Sequence, residues 1–143
     1  MKIFITLILS ALIIFAHDNS EHLKVQILET IIVNISVESG KKVWCDDKTI
    51  FDELKDHKKI EMVKSCKDAS IVILKDIDNI NGECSDKHIF TLDYKLLSEV
   101  KQSFGALFWK KGRPNIVILE PKIKTQKITI SEELKPYLEE KIW

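Results

Sequence analysis

A predicted β-hairpin constrains the fold more than any other part of the chain. Two apolar runs, Phe104–Trp109 and Asn115–Leu119, lie on either side of a short basic segment, Lys110–Pro114. Aromatic and β-branched residues dominate both runs, and such residues favour the half-buried surface of a pleated sheet. Gly112 can adopt the positive φ of a tight turn, and Pro114 cannot donate a hydrogen bond into a strand ladder. We therefore predict a hairpin with a basic tip, placed near the centre of a small α/β domain.

The chain begins with a segment that is typical of a secretory signal. Lys2 is followed by an apolar run, Ile3–Phe15, and Ala16 supplies a small residue before a polar stretch. This layout is that of a signal peptide removed on export, whereas a membrane-spanning helix needs about 20 apolar residues. We predict a signal peptide over residues 1–16 and one exported α/β domain over residues 17–143, with an uncleaved anchor as the alternative.

The charge balance argues against two kinds of partner. The chain has 22 basic and 22 acidic residues, and the two signs are finely mixed along the sequence. Proteins that bind nucleic acid or acidic membrane surfaces in general carry clustered positive charge. We therefore expect no nucleic-acid partner and no polybasic attachment to a membrane surface.

Three cysteines follow the leader, namely Cys45, Cys66 and Cys84. Cys66 and Cys84 lie in polar, turn-like settings on either side of an apolar run, and disulfides persist outside the cytoplasm. We predict that these two are bonded, which stabilises the fold by roughly 3 kcal/mol for a loop of this length. Cys45 lies in an apolar context and is expected to be a buried, unpaired strand residue. The spacings fit neither a zinc site nor a CxxC motif, so we expect no metal.

Hydrophobic periodicity divides the rest of the chain into alternating helices and strands. An amphipathic helix is predicted over Glu21–Val37, with its apolar stripe formed by Leu23, Ile27, Ile31 and Ile35. The predicted strands are Lys41–Asp47, Lys59–Val63, Ala69–Leu74 and His88–Leu92, with an alternating segment at Lys124–Ile130. The further predicted helices are Thr49–Asp56, Tyr94–Val100 and Leu134–Ile142. Pro136 lies inside the last of these, where it marks a short first turn or a kink.

The alternation of strands and helices predicts the fold class. We expect a single-domain α/β sandwich with a mainly parallel sheet and one antiparallel hairpin at about residues 104–119. An N-terminal amphipathic helix and a C-terminal helix complete it. The N-terminal helix is expected to cover its own sheet, with a homodimer contact as the alternative.

Several segments, taken in order, resemble a known family. They are an apolar strand preceded by a cysteine (Cys66–Leu74), a strand-to-helix step (His88–Tyr94), a GRPNIVIL strand (Gly112–Leu119) and an ITIS segment (Ile128–Ser131). With the leader and the first helix, this order resembles the small periplasmic proteins of the YfiR type, which are partners of inner-membrane sensory enzymes such as diguanylate cyclases. The chain resembles even more closely a group of periplasmic proteins with a GAFFWxKGRPNI-like hairpin. The resemblance implies a partner protein with no catalytic residues.

The basic hairpin tip is the strongest candidate for a binding site. Its predicted residues are Trp109, Lys110, Lys111, Arg113 and Asn115. Arginine forks and cation–π contacts suit an acidic ligand, a phosphate head group or an acidic protein surface. The alternative is a solvent-exposed turn whose tryptophan packs in the core.

Other polar residues carry weaker signals. Asp46 and Asp47 form the C-terminal end of a predicted strand, at the edge where open α/β sheets bind ligands. With Asp68 or Asp93 they would suit a divalent cation, but capping of the next helix explains them better. Cys45 has the chemistry of a nucleophile, yet no histidine lies in a known Cys–His pattern with it.

The combined interpretation is a non-catalytic periplasmic binding or regulatory protein. We predict that it docks on an inner-membrane sensory partner and needs no cofactor. The alternative is a small-solute or anion-binding protein that resembles one lobe of a periplasmic binding protein, with its ligand near Asp46 and Asp93. A hydrolase or thiol enzyme centred on Cys45 is a third hypothesis of lower weight.

Overall fold

A mainly parallel sheet flanked by helices forms the framework of the protein. The computed structural model describes residues 21–80 and 82–142, and the predicted signal peptide lies outside them. The strands are β1 Ile35–Ser36, β2 Lys42–Cys45, β3 Glu61–Met62, β4 Ile71–Leu74, β5 His88–Thr91, β6 Ser103–Lys110, β7 Arg113–Leu119, β8 Thr129–Ile130 and β9 Leu138–Glu139. The helices are α1 at residues 21–33, α2 Lys48–Leu54, α3 Leu96–Glu99 and α4 Glu120–Thr125, with 3-10 helices at Cys66–Asp68, Ile77–Asn79 and Glu132–Tyr137.

The strand order places the hairpin away from the centre of the sheet. The seven-stranded sheet has the order β3-β2-β4-β5-β6-β7-β9, and each neighbouring pair is parallel except β6 with β7. β1 and β8 form a separate antiparallel pair. The predicted α/β sandwich is therefore confirmed, but β5 is the central strand. The hairpin lies towards one edge, where the two-residue strand β9 covers part of β7.

Two apolar layers cover the sheet, one on each face. The layer under α1, α2 and the last 3-10 helix includes Leu28, Leu54, Ile73, Phe104, Leu107 and Leu134. We call this side the α1 face. The opposite layer includes Cys66, Val72, Leu74, Cys84, Ile89 and Leu96. We call it the disulfide face. All four residues of β4 are buried, as expected for a parallel strand that is covered on both sides.

The cysteines behave as the sequence predicts. Cys66 and Cys84 form a disulfide with a Cα–Cα distance of 5.8 Å. Both are buried, and the bond holds the loop before β5 against the disulfide face. Cys45 is a free, buried residue at the end of β2.

The first helix is shorter than predicted, and part of its predicted apolar stripe is buried. α1 ends at residue 33, and Ile35 belongs to β1 instead of continuing the helix to Val37. The chain leaves the helix because Ser131 donates its backbone N–H and its hydroxyl to Asn34. Ile31 and Ile35 of the predicted apolar stripe are buried, whereas Leu23 is 40% exposed. The outer side of α1 therefore keeps apolar surface that the sheet does not cover.

The C-terminal part of the chain differs most from its prediction. The predicted helix over Leu134–Ile142 is a 3-10 helix over Glu132–Tyr137 followed by strand β9. Pro136 lies inside it and has no N–H to continue an α-helical ladder. The predicted alternating segment Lys124–Ile130 is also wrong in part, because α4 extends to Thr125 and β8 contains just two residues.

Candidate functional site

The hairpin tip is a tight two-residue turn. The register of β6 and β7 continues to the pair Lys110 and Arg113, so that the loop consists of Lys111 and Gly112. Both loop residues have positive φ, 52° and 76°, as a type I′ turn requires. The turn predicted over five residues, Lys110–Pro114, is thus shorter, and Lys110 and Arg113 are strand residues. The paired register of the two strands therefore continues to the base of the turn.

Pro114 fits the ladder without leaving a hydrogen bond unmade. It lies opposite Trp109, one pair away from the turn. The pair that flanks a two-residue turn is hydrogen-bonded, and such pairs alternate with non-bonded ones along an antiparallel ladder. The missing N–H of Pro114 therefore faces away from β6.

Three cations define the tip, and we call Lys110, Lys111 and Arg113 the tip cations. All three are exposed. In the part of the chain that the structure describes, none of them forms an ion pair. Lys110 and Arg113 lie directly opposite each other, an arrangement in which like charges destabilise a strand pair. The tip thus presents a group of positive charges that no described acidic side chain pairs with.

Strand alternation divides the predicted site between the two faces of the sheet. Asn115 pairs with Phe108, and Phe108 packs on the disulfide face, so the side chains of Lys110, Arg113 and Asn115 share that face. Trp109 lies on the α1 face and packs against the main core. The structure therefore does not place Trp109 beside the tip cations. Its ring lies instead 5.8 Å from the ammonium group of Lys24 in α1, within the range of a cation–π contact.

Two aromatic residues beside the tip have no counterpart in the predicted site. The rings of Tyr94 and Phe108 lie 4.9 Å apart, and both side chains are half-buried. Asn115 donates from its side-chain amide to the carbonyl of Arg113 at 3.1 Å, which fixes the backbone at the base of the turn. The sequence signal for Phe108 is its two-residue spacing from Lys110, which puts both on one face.

The two aspartates after β2 are used within the fold. Asp46 accepts hydrogen bonds from the backbone N–H groups of Lys75 at 2.7 Å and Asp76 at 2.9 Å. Its carboxylate also accepts one from the amide of Asn79 at 2.8 Å. These bonds join the ends of β2 and β4, between which the strand order changes direction. The bonded residues line a depression of about 490 Å³. The Asp46 carboxylate in it already accepts hydrogen bonds from the protein.

Asp47 is the N-cap of α2, as predicted. Its carboxylate accepts a hydrogen bond from the backbone N–H of Ile50 at 3.2 Å and lies 3.3 Å from the ammonium of Lys75. Partial burial acts to raise the pKa of Asp47, but the bond from Ile50 and the bond and charge of Lys75 outweigh it. The pKa of Asp47 is therefore lowered from its ordinary value.

Asp68 and Asp93, the two aspartates that the sequence offers as further cation ligands, do not complete a metal site with Asp46 and Asp47. Asp68 precedes β4 at the opposite end of the sheet, and Asp93 accepts a hydrogen bond from the backbone N–H of Lys95 at 3.0 Å. In residues 21–80 and 82–142, no group of three or more metal-ligating side chains could hold a metal ion.

Cys45 lacks the properties of a nucleophile. It is 4% exposed, and burial, followed by the charges of Asp46 and Asp47, raises the pKa of its thiol to about 12. A reactive cysteine needs a lowered pKa and access to solvent, because the thiolate is the attacking species. The Cys45 thiol is protonated at neutral pH and contributes to the core.

The remaining findings concern possible membrane spans, the disulfide and the comparison with known proteins. No helix in the described part of the chain is long and apolar enough to cross a membrane. The disulfide is compatible with a location outside the cytoplasm. No protein-family model matches the chain, and no curated protein matches it.

Proposed function

We propose that this chain is a non-catalytic periplasmic protein that binds an acidic surface of an inner-membrane sensory protein through its tip cations. The observation that carries the proposal is the grouping of three exposed cations at the hairpin tip, with Lys111 in the two-residue turn and Lys110 and Arg113 on either side of it. Within the described residues they have no acidic partner, although like charges face each other across the turn. A surface of this kind gains favourable interactions when an anion approaches it.

The surroundings of the tip favour a protein partner over a lipid surface. The large apolar side chains that are exposed by more than a third, in the part of the chain described, are Leu23, Ile77, Tyr137 and Ile142. None of them belongs to the hairpin. Insertion into a membrane interface needs an exposed apolar anchor beside the cations. Contact with carboxylates on a protein surface needs no such anchor.

The location rests on two separate observations. The leader has the layout of a secretory signal, and the disulfide is compatible with an oxidising compartment. A protein in that compartment can reach the outward-facing domains of inner-membrane sensors. Cys45, the one residue that the sequence offers as a thiol nucleophile, is buried, and the raised pKa of its thiol keeps it protonated at neutral pH.

The test is capture of inner-membrane proteins by the purified exported chain. The wild type is compared with a triple charge reversal, Lys110→Glu, Lys111→Glu and Arg113→Glu. We expect a membrane protein with a periplasmic domain to be retained by the wild type and lost, by about tenfold or more, with the triple variant. Retention should also weaken between about 50 and about 500 mM NaCl, because salt screens exposed charges.

A matched variant controls for the change in net charge. Lys58→Glu, Lys59→Glu and Lys67→Glu reverse three exposed lysines elsewhere on the molecule. This control should retain the partner as the wild type does. Equal retention by the wild type and the tip variant would exclude the tip cations from binding, and binding of anionic vesicles alone would replace the proposed partner with a membrane surface.

A further inference from the structure

The outer half of the hairpin extends beyond the two apolar layers. Along β6 the first five residues are buried, the next two are half-buried, and Lys110 is exposed. β7 shows the reverse order, from the exposed Arg113 to the buried Leu119. Burial therefore falls towards the turn on both strands, and another molecule can reach either face of the outer half.

The disulfide face of this outer half combines aromatic and cationic side chains. Strand alternation places Phe108, Lys110, Arg113 and Asn115 on it, with Lys110 opposite Arg113 and Phe108 opposite Asn115. Tyr94, in the loop after β5, adds a second ring, whose centroid lies 4.9 Å from that of Phe108. We call these five residues the aromatic–cationic surface.

The α1 face of the same segment differs in charge. Trp109 and Pro114 lie opposite each other on it. The cation beside them is Lys24, which lies 5.8 Å from the Trp109 ring and also pairs with Glu21 at 3.6 Å. The cations that have no acidic partner among the described residues and have a known face, Lys110 and Arg113, therefore point to the disulfide face.

We infer that the aromatic–cationic surface binds an acidic segment of the partner in which an apolar side chain lies two residues from a carboxylate. This inference rests on the proposed function and adds the face that binds and the chemistry of the bound segment. The carboxylate lies between Lys110 and Arg113, whose Cα atoms are about 5.5 Å apart as a hydrogen-bonded pair. An arginine fork and an ammonium group can both donate to one carboxylate.

The spacing along the hairpin selects the position of the apolar side chain. The pair of Phe108 and Asn115 lies two residues from the cationic pair, a distance of about 7 Å along a strand. Residues i and i+2 of an extended segment are separated by the same distance and point to the same side. A segment with its carboxylate at the cations therefore places its next side chain on that side against the ring of Phe108.

The two rings suit this role because packing already holds them. Phe108 and Tyr94 are half-buried and pack against the apolar cluster of Leu97, Ala106 and Leu119. A side chain that is fixed before binding loses little freedom on binding. Tyrosine and arginine are also enriched among the residues that contribute most to protein interfaces.

Two nine-residue peptides test the chemistry of the segment. They are identical except for their centres, which are Glu-Thr-Phe-Thr-Glu in one and Glu-Thr-Ser-Thr-Glu in the other. Binding to the isotope-labelled, purified exported chain in about 50 mM NaCl is followed by NMR titration. We expect the phenylalanine peptide to bind about fivefold tighter and to shift the resonances of Phe108 and Asn115 more than those of Trp109 and Ile116.

Two variants of equal charge test the face. Asn115→Glu adds a carboxylate on the aromatic–cationic surface, where it competes for Arg113 and should weaken the phenylalanine peptide by about tenfold. Pro114→Glu is the matched control, because it adds the same charge beside Arg113 but on the α1 face. We expect this control to change the affinity by about twofold at most. Circular dichroism checks that both variants fold.

The outcomes distinguish this inference from the proposed function. If the membrane protein is lost with the triple tip variant but Asn115→Glu and Pro114→Glu retain it equally, the tip proposal stands and this inference is overturned. Retention of the membrane protein by the triple tip variant overturns the proposed function itself. Equal binding of the two peptides, or no binding up to about 1 mM, also overturns the inference. A dimer of the wild type that Asn115→Glu abolishes would overturn it by assigning the surface to a second copy of the chain.

Discussion

Of the two glycines in the hairpin, Gly105 is the one with no room for a side chain. A Cβ atom built on Gly105 would lie 2.7 Å from the carbonyl oxygen of Val117 and 2.9 Å from a ring carbon of Phe90. Contacts below about 3 Å force one of the two atoms to move, and a backbone oxygen in a strand ladder cannot move freely. Glycine thus allows the ring of Phe90 in β5 to pack across the start of the hairpin.

We predict that Gly105→Ala lowers the free energy of unfolding by about 1–3 kcal/mol, because the added methyl group displaces Phe90 or the ladder. Urea unfolding followed by circular dichroism measures the change. Gly82→Ala is the control, since a Cβ at Gly82 has no atom within 4 Å. Equal midpoints for the two variants would contradict the close approach at Gly105.

At the scale of elements, Asp47 links strand β2 to helix α2. Its lowered pKa means that folding favours the charged carboxylate. The corresponding stability is present above the unfolded pKa of about 4 and is lost as the pH falls through the lower, folded pKa. The helix cap is thus weakest in acid.

We predict that the difference in stability between the wild type and Asp47→Asn depends on pH. Asparagine keeps a capping oxygen but cannot pair with Lys75, so the wild type should be more stable by about 1 kcal/mol near pH 7. The difference should shrink below about pH 4, where the carboxylate takes up its proton. Urea unfolding at a series of pH values measures it, with Glu53→Gln on the exposed side of α2 as the control. A difference that stays constant down to pH 2 would show that charge plays no part.

Elements defined by local patterns could be predicted from the sequence, and those defined by distant pairing could not. The apolar run of β4, the cap of α2 and the hairpin each carry their signal within a few residues. Strand β9 has no such signal, because it exists through its pairing with β7. The sequence does not predict α4, because the alternation of Ile128 and Ile130 with polar residues favours a strand over Lys124–Ile130, which overlaps the end of that helix.

The candidate site was predictable in part for the same reason. The tip cations lie within four residues of sequence, around a Lys-Gly pair that adopts the positive φ of a tight turn. Residues at a tight hairpin turn are exposed, so both the turn and the exposure could be predicted. Adjacency along the chain groups Trp109 with the tip cations. Neighbouring residues in a strand point to opposite faces, however, and Trp109 packs against the main core instead. An apolar groove on the outer side of α1 is lined by Leu23, Ile116 and Tyr137. These residues are far apart in the sequence, so their grouping is visible only in the three-dimensional structure.

At the scale of the whole molecule, the disulfide fastens one of the two apolar layers. Cys66 and Cys84 are separated by 18 residues and enclose β4, the most buried strand. The loop between β4 and β5 contributes few buried apolar residues besides Cys84. Its attachment to the disulfide face therefore depends on the covalent bond more than on packing.

We predict that Cys66→Ala with Cys84→Ala lowers the free energy of unfolding by about 3 kcal/mol, because the unfolded chain regains the freedom that the bond removes. Chemical unfolding at neutral pH measures the loss. Wild-type protein treated with a reductant should unfold at the same denaturant concentration as the double variant. Identical stability of the oxidised and reduced wild type would show that packing alone holds the loop.

The opposed pair Lys110 and Arg113 has a consequence for the resting state of the protein. While the tip is empty, electrostatic repulsion works against closure of the hairpin, and thermal fraying should start there. A carboxylate that bridges the two side chains turns this repulsion into attraction. Occupancy and local order are therefore coupled, so the end of the sheet is tightened by the molecule that it recognises.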